Sequence, residues 1–244
     1  MEAGHRPVAA LVTAFAVVVA ARVGHAATPP PAPEAKAGER THDGFYLRAG
    51  ASGGPTWLDY DAPMTTGVKH EGSAEGASGN LELSLGGTLP FGLVLGGTWF
   101  VRPLDELDYD HPEVTRGWDS TRSSLHEVAA FARYYPFPRY GLHAEALAGV
   151  VKHELRSEKR VLRSLPPSCI IVPLSCGFAA EYETITATES SWGYAFGLGA
   201  GYELWIGKQW SIGFTARVQG AHTWKDERSY WFLLPTLGIG FTYH

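Results

Sequence analysis

The sequence predicts an all-β protein, an eight-stranded antiparallel up-and-down transmembrane β-barrel preceded by a signal peptide and a short disordered segment. Three patterns lead to this prediction. Apolar side chains recur at every second position in eight segments, short and long connections alternate between the segments, and aromatic residues cluster near the segment ends. The chain is also rich in Gly, Trp, Tyr and Phe, which suits a barrel wall better than a soluble core.

Residues 1–26 have the pattern of a secretory signal peptide. Arg6 supplies a short basic region, and the apolar run that follows, residues 8–21, is shorter than the ~20 residues that span a bilayer. Small residues at Gly24 and Ala26 predict cleavage after Ala26. Residues 27–43 are rich in Pro and Ala and are predicted to be a disordered periplasmic segment, which leaves residues 44–244 for the outer-membrane barrel.

Eight segments within residues 44–244 have the two-residue period of a strand with two different faces. They are 45–52, 81–89, 93–102, 127–134, 142–150, 196–204, 210–219 and 230–243. Short connections at 90–92, 136–140 and 206–209 alternate with longer ones at 60–79, 103–122, 157–189 and 224–229. Short turns are periplasmic and long loops extracellular in bacterial barrels, so both ends are predicted to lie in the periplasm.

The apolar face of these segments is predicted to face lipid, because the opposite face carries charges. A soluble sandwich or a lipocalin-like barrel would turn its apolar face inward instead. Pro235 is a local misfit in the last strand, since proline has no N–H to donate to a neighbouring strand. The net charge of −5 gives no indication of nucleic-acid binding.

Eight charged residues on the polar faces predict a charge network in the lumen, four of each sign. They are Arg48, Glu82, Arg102, Glu127, Arg133, Glu145, Glu203 and Arg217. Eight strands leave an interior that side chains can just fill, and charges confined there must be paired. Counting from the short turns places Glu82 near Arg102 and Arg133 near Glu145, in two neutral groups of four. We therefore expect a plugged lumen with little steady conductance.

Cys169 and Cys176 are predicted to form a disulfide, because an even number of cysteines in an exported protein meets an oxidising compartment. They would close the tip of a protruding hairpin, since alternation continues from Tyr182 to Ala187 well before the strand enters the membrane. An exposed strand edge there would suit an extracellular protein partner bound by strand addition.

The last strand carries the residues Thr236, Gly238, Phe241 and Tyr243 in the order polar, glycine, aromatic, aromatic. This order resembles the C-terminal assembly signal of small outer-membrane β-barrels of the OmpA/OmpX/OmpW-like type. The resemblance covers about residues 44–244 as an architecture. It implies recognition by the barrel assembly machinery and a location in the outer membrane of a Gram-negative bacterium. His244 departs from the pattern, because it follows the aromatic residue that usually ends such chains.

Two charged segments could each be either a binding site or an ordinary solvated surface. Carboxylates in residues 105–113 suit a divalent cation, although a solvated loop is the usual meaning of such a cluster. They are Asp105, Glu106, Asp108, Asp110 and Glu113. A basic run where the fifth predicted strand leaves the membrane suits lipopolysaccharide phosphates, or is simply a solvated charge run. It consists of Lys152, Arg156, Lys159, Arg160 and Arg163.

Catalytic residues are not predicted. His126 with Ser123 or Ser124 and Glu127 is a crude Ser/His/acid grouping, but adjacent strand positions point to opposite faces. We expect no cofactor and no metal site. The predicted function is a non-enzymatic integral outer-membrane barrel with a structural or surface-interaction role, in contact with membrane lipids and lipopolysaccharide. The alternatives are a narrow channel for small or apolar solutes and a lipid A-modifying enzyme.

Overall fold

The computed structural model describes residues 44–63, 69–104, 107–109, 120–137, 140–164 and 181–244. The predicted signal peptide, the predicted disordered segment, Cys169 and Cys176 lie outside the described residues, as does most of the acidic segment 105–113. In the part of the chain that is described, no helix is long and apolar enough to cross a membrane.

Eight long strands and one two-residue strand form a single antiparallel sheet. They are β1 (Gly44–Pro63), β2 (Lys69–Leu89), β3 (Leu93–Pro103), β4 (Asp108–Tyr109), β5 (Ser120–Tyr134), β6 (Leu142–Ser164), β7 (Glu181–Trp205), β8 (Trp210–Lys225) and β9 (Arg228–Tyr243). Each long strand pairs with the next, and β1 pairs with both β2 and β9, which closes the ring. The predicted eight-stranded antiparallel up-and-down β-barrel is therefore confirmed as the fold, with β4 as a short addition beside β2.

Three short turns lie at one end of the barrel, which we call the turn end; the opposite end is the loop end. A single 3-10 turn, Pro90–Gly92, joins β2 to β3, with Phe91 in the left-handed region at φ 73°. The other two turn-end connections follow β5 and β7. The predicted short connections at 90–92, 136–140 and 206–209 all fall here.

At the loop end the strands run further than the sequence pattern indicated. β1 and β2 pair without interruption as far as Pro63 and Lys69, so most of the loop predicted at 60–79 is strand. β6 and β7 pair as far as Ser164 and Glu181, in the hairpin that the alternation from Tyr182 to Ala187 indicates. The extensions of β1 and β2 were not evident from the sequence, because their outward positions carry acids such as Asp59 and Glu75 in place of the apolar residues that mark the strand centres. The connection predicted at 224–229 is a tight turn around Asp226 and Glu227, because β8 and β9 pair up to Lys225 and Arg228.

The barrel is apolar outside and largely polar inside. Outward side chains such as Val128 and Leu237 are 60% and 73% exposed. Inward neighbours on the same strands, such as Glu127 and Thr236, are buried. A barrel in water would have the reverse distribution, because burial of apolar surface drives its folding.

Two apolar clusters also fill part of the interior. The turn-end cluster consists of Tyr46, Val94, Phe100, Ala129, Phe131, Tyr135 and Leu147. The loop-end cluster consists of Leu58, Tyr60, Ala74, Leu104, Leu125, Val151, Ala195, Ala221, Phe232 and Leu234. Leu104 comes from the connection after β3, where its N–H donates to the Ser123 carbonyl at 2.8 Å. Charged side chains pack directly against the turn-end cluster, since Arg133 lies over the rings of Tyr46 and Phe131 and Arg217 lies over the ring of Phe100.

Candidate functional site: the lumen and the outer rim

Six inward charges meet in one layer towards the turn end, which we call the charge layer. It consists of Arg48, Glu82, Arg133, Glu145, Glu203 and Arg217. Their side chains are 8% exposed or less. Three guanidinium groups face three carboxylates, so the layer is neutral although it is almost closed to solvent. Neutrality matters because an isolated buried charge is strongly unfavourable.

Glu145 on β6 is the central acceptor of this layer. Its Oε2 lies 2.6 Å from Arg133 Nη2, and its Oε1 lies 2.6 Å from Arg217 Nε. Arg217 also reaches Glu82, with 3.0 Å between Nη2 and Oε2. These are charge-assisted hydrogen bonds at short range, which fix the orientation of both guanidinium groups.

Arg48 and Glu203 continue the layer across the barrel. Arg48 Nη1 lies 3.5 Å from Glu203 Oε1, and Arg48 Nη2 donates to the Thr215 hydroxyl at 3.0 Å. Glu203 accepts further hydrogen bonds from the hydroxyls of Tyr135 at 2.9 Å and Ser211 at 2.8 Å. The carboxylate is therefore anchored by neutral donors as well as by cations, which rigidifies the turn-end mouth.

Glycines on the inner face make room for these long side chains. A Cβ on Gly199 would lie 2.8 Å from Glu145 Oε1, and a Cβ on Gly213 would lie 2.7 Å from Arg48 Nη1. Larger residues at these positions would displace the charged groups from one another. Gly199 on β7 and Gly213 on β8 thus have a packing role.

Arg102 and Glu127 are joined through a neutral amide. Arg102 Nη2 donates to Gln219 Oε1 at 2.6 Å, and Gln219 Nε2 donates to Glu127 Oε2 at 3.1 Å. We call these three residues the amide relay. Glu82, which was expected beside Arg102, contacts Arg48 and Arg217 instead. The eight charges are thus divided into a layer of six and a relayed pair, and sequence reasoning missed the bridging role of Gln219 because an amide carries no charge.

Ser123 and His153 form a hydrogen-bonded pair inside the loop end. Ser123 Oγ lies 2.8 Å from His153 Nε2, while His153 Nδ1 lies 3.4 Å from the Ser191 hydroxyl. A hydroxyl therefore occupies the place that a carboxylate takes in a Ser-His-Asp triad. His126 and Glu127 lie on opposite faces of β5, since Glu127 is buried in the lumen and His126 faces outward.

The basic residues expected to meet lipopolysaccharide do not share one face. Lys152 and Arg156 lie on the outward face of β6, whereas Lys159 occupies a position on the opposite face. The side chains of Arg160 and Arg163 lie outside the described part of the structure. β5 contributes outward cations that sequence reasoning missed: Arg122 lies opposite Arg156, and His126 opposite Lys152.

The residues of the assembly-signal pattern occupy alternate faces of β9. Phe241 is 53% exposed on the outer face, and the Tyr243 hydroxyl donates to Gln209 Oε1 at 2.9 Å. Thr236 and Gly238 face the lumen. His244 is also inward and buried, with its Nε2 2.9 Å from Glu203 Oε2. Its departure from the pattern thus adds a lumen residue without displacing the outward aromatics.

The barrel wall has one irregular seam, where β1 meets β9. The two strands pair up to Gly53 and Leu237 and again from Trp57 and Leu233, with no pairing between. By this register Pro55 lies opposite Pro235, so neither strand supplies an N–H at that point. A cavity of about 10 Å³, room for roughly one water molecule, adjoins the seam. It is lined by Arg48, Ala51, Ser52, Glu82, Thr215, Arg217, Thr236, Gly238 and Ile239.

Metal binding finds no support among the described residues, where no group of three or more His, Cys, Asp or Glu side chains is placed to hold an ion. The acidic segment 105–113 lies largely outside that part of the chain, so its divalent-cation site stays a prediction.

No protein-family model matches the chain, and no curated protein matches it. Solved structures do match it. The attachment invasion locus protein Ail of Yersinia pestis is 10% identical with a TM-score of 0.39, over 82% of this chain and 99% of Ail. Neisserial surface protein A is 13% identical with a TM-score of 0.38, over 82% and 97%. The outer membrane protein OprG of Pseudomonas aeruginosa is 13% identical with a TM-score of 0.41, over 84% and 98%. The architecture of the chain, a closed barrel of eight long antiparallel strands, follows from its own strand pairing.

Proposed function

We propose that the chain is a non-enzymatic outer-membrane barrel with a plugged lumen, which presents its β6–β7 hairpin to a partner outside the cell. The observation that carries the proposal is the charge layer, in which every guanidinium group has a carboxylate within 3.6 Å. A lumen filled in this way supports an anchoring role, because ions would have to break several buried pairs to pass.

Membrane insertion is supported by the outer surface. Apolar side chains cover the outer face, and an aromatic belt of four tryptophans lies at the loop end on β1, β7, β8 and β9, each of them 43–59% exposed. The belt consists of Trp57, Trp192, Trp224 and Trp231. Aromatic rings prefer the interface between lipid and water, so the belt marks the outer boundary of the membrane. Recovery in the soluble periplasmic fraction, without a heat-dependent shift in gel mobility, would refute insertion.

The plug is tested by conductance of the purified wild-type barrel in a planar bilayer. We expect no steady current, because the cavity beside the charge layer holds about 10 Å³. The Glu145→Gln variant should leak, since it removes the carboxylate shared by Arg133 and Arg217. Lys208→Gln, in the turn between β7 and β8, is the control and should stay silent. A stable channel in the wild type would overturn the plug.

The hairpin supports an interaction role because it extends beyond its neighbours. Among the described residues, β6 pairs with β5 only as far as Glu158, and β7 pairs with β8 only as far as Trp192. Beyond those points β6 and β7 pair with each other up to Ser164 and Glu181. The β8-facing edge of β7 over residues 181–191 therefore has no strand partner among the described residues. An unpaired edge of this length is a template for strand addition.

Replacing residues 159–187 by a Gly-Ser turn tests the role of the hairpin. The barrel should fold and reach the surface unchanged, because the described residues of this segment pair only with each other. Cells that express the wild type should retain an extracellular matrix or serum protein that cells with the shortened barrel lose. Equal retention by both strains would contradict the proposal.

A narrow channel for small or apolar solutes is the second candidate, and the seam between β1 and β9 favours it. The cavity there is lined by outward residues such as Ala51 and Ile239 together with inward residues such as Arg48. Pro235→Val would allow an added hydrogen bond across the seam. If this candidate is correct, wild-type vesicles should take up an apolar solute faster than vesicles with the variant. Equal rates would eliminate the seam as a route.

A further inference from the structure

The outward faces of β5 and β6 carry two pairs of directly opposed basic residues at the loop end. Arg122 lies directly opposite Arg156, and His126 lies directly opposite Lys152. Arg122 and Arg156 are exposed, and the other two side chains are partly exposed. Directly opposed residues in an antiparallel pair have Cβ atoms about 4.5–5.5 Å apart, where like charges destabilise the pairing.

Carboxylates on β6 compensate this repulsion only in part. Glu158 lies 3.1 Å from Arg156, and Glu154 contacts Lys152. Arg122 makes no ion pair or hydrogen bond through its side chain within the described part of the chain. The face therefore keeps a net positive charge, with one guanidinium group free to bind an anion.

The position of this face relative to the membrane indicates what the anion is. Lys152 lies over the ring of Trp192, with its Nζ 5.8 Å from the ring centroid, so it stands at the aromatic belt. Val128 and Val150 lie on the lipid side of that level and are largely exposed. Arg156 follows four residues beyond Lys152, about 13 Å further along the strand. The two basic pairs thus lie at the depth of the lipid headgroups.

The cationic character is local to this side of the barrel. On the same side of the aromatic belt, the outward positions of β1 and β2 carry acids. They are Asp59, Asp61, Glu71 and Glu75. A uniformly basic rim would indicate only a general attraction to an anionic surface, whereas a single basic face beside an acidic one favours a bound anion at a defined place.

We propose that Arg122 and Arg156 clamp a phosphate group of a phosphorylated glycolipid in the outer leaflet, with Lys152 and His126 towards the acyl chains. Guanidinium forks match phosphate oxygens in a bidentate arrangement, and the bound anion offsets the repulsion between the opposed cations. The site rests on the proposed insertion into the outer membrane. The site keeps Lys152 and Arg156 from the basic run predicted on β6 and adds Arg122 and His126 from β5, so it lies on a face that two strands share.

Full-length mature protein refolded into phosphatidylcholine vesicles, with and without lipopolysaccharide, provides the test. The readout is the midpoint of thermal unfolding, followed by gel mobility. The wild type should have a higher midpoint with lipopolysaccharide, because a ligand that binds only the folded state stabilises it. Lipopolysaccharide from which the lipid A phosphates have been removed should give little of this rise.

The double variant R122Q/R156Q should fold normally in phosphatidylcholine and lose at least half of the rise. The matched control K225Q/R228Q removes the same amount of charge at the β8–β9 turn and should keep the full rise in the unfolding midpoint. An equal rise in both variants would overturn the clamp, as would an equal rise in the wild type with dephosphorylated lipopolysaccharide or with phosphatidylglycerol. Failure of the wild type to insert into phosphatidylcholine would instead count against the proposed function.

Discussion

The charge layer and the amide relay lie on the same inner face and use the same residue types, yet they satisfy their charges differently. In the charge layer, Glu145 contacts Arg133 and Arg217 directly, at 2.6 Å in both cases. In the amide relay, Gln219 stands between Arg102 and Glu127. One arrangement brings full charges together, and the other transmits the interaction through a neutral dipole.

Neighbouring side chains determine whether two buried charged groups contact each other directly or only through a bridging residue. Around the charge layer, Gly199 and Gly213 leave space into which charged groups extend. Around the amide relay, Glu127 is flanked on the inner face of β5 by Leu125 and Ala129, which belong to the apolar clusters. A bridging amide satisfies both charges there without bringing them into contact.

The largest effect should come from Glu145→Gln. The substitution keeps the shape of the side chain but leaves two buried guanidinium groups without their shared carboxylate. Removing one partner of a buried ion pair costs about 3–5 kcal/mol, so the free energy of unfolding should fall by that order. Urea titration of the folded barrel in detergent, followed by gel mobility, measures it.

The matched control for this change is Glu158→Gln, which removes the same charge from an outward pair with Arg156. A partly exposed pair contributes only about 0–1 kcal/mol, so the control should unfold at nearly the wild-type urea concentration. If both variants lost the same stability, the charge layer would not be the buried network described above.

An intermediate effect is expected from Gln219→Leu in the amide relay. The variant deprives Arg102 and Glu127 of their common hydrogen-bond partner, which should cost about 1–3 kcal/mol of unfolding free energy. A double-mutant cycle with Glu127→Gln should give a coupling energy of about 0.5–3 kcal/mol. If the two substitutions lowered the free energy of unfolding additively, Gln219 would not act as a bridge.

The smallest effect should follow Tyr46→Phe. Arg133 donates a hydrogen bond to the Tyr46 hydroxyl and keeps its ion pair with Glu145 when that hydroxyl is removed. A single neutral acceptor contributes about 1 kcal/mol, so the loss should be well below that of Glu145→Gln. A loss as large as that of Glu145→Gln would mean that the tyrosine, and not the carboxylate, holds the guanidinium group in place.

Sequence alone identified the strands wherever their two faces differ. Leu81, Leu83 and Leu85 alternate with small and polar residues, because one face of β2 meets the exterior and the other meets the lumen. The same reasoning missed the loop-end extensions of β1 and β2, where acids such as Asp59 and Glu75 take the outward positions that are apolar in the strand centres. It also missed Arg122, because the outward cations of β5 and β6 form a pattern only once the two strands are paired.

Local spacing was enough to predict the wall of this protein: the strand centres, the turn-end connections, the outward apolar face and the inward position of all eight charges. These follow because side-chain direction alternates along any strand. The folded barrel alone reveals which charges meet across the lumen, that Gln219 joins two of them, and that Pro55 faces Pro235. Contacts across a closed barrel depend on the tilt and stagger of strands distant in sequence, which no local pattern encodes.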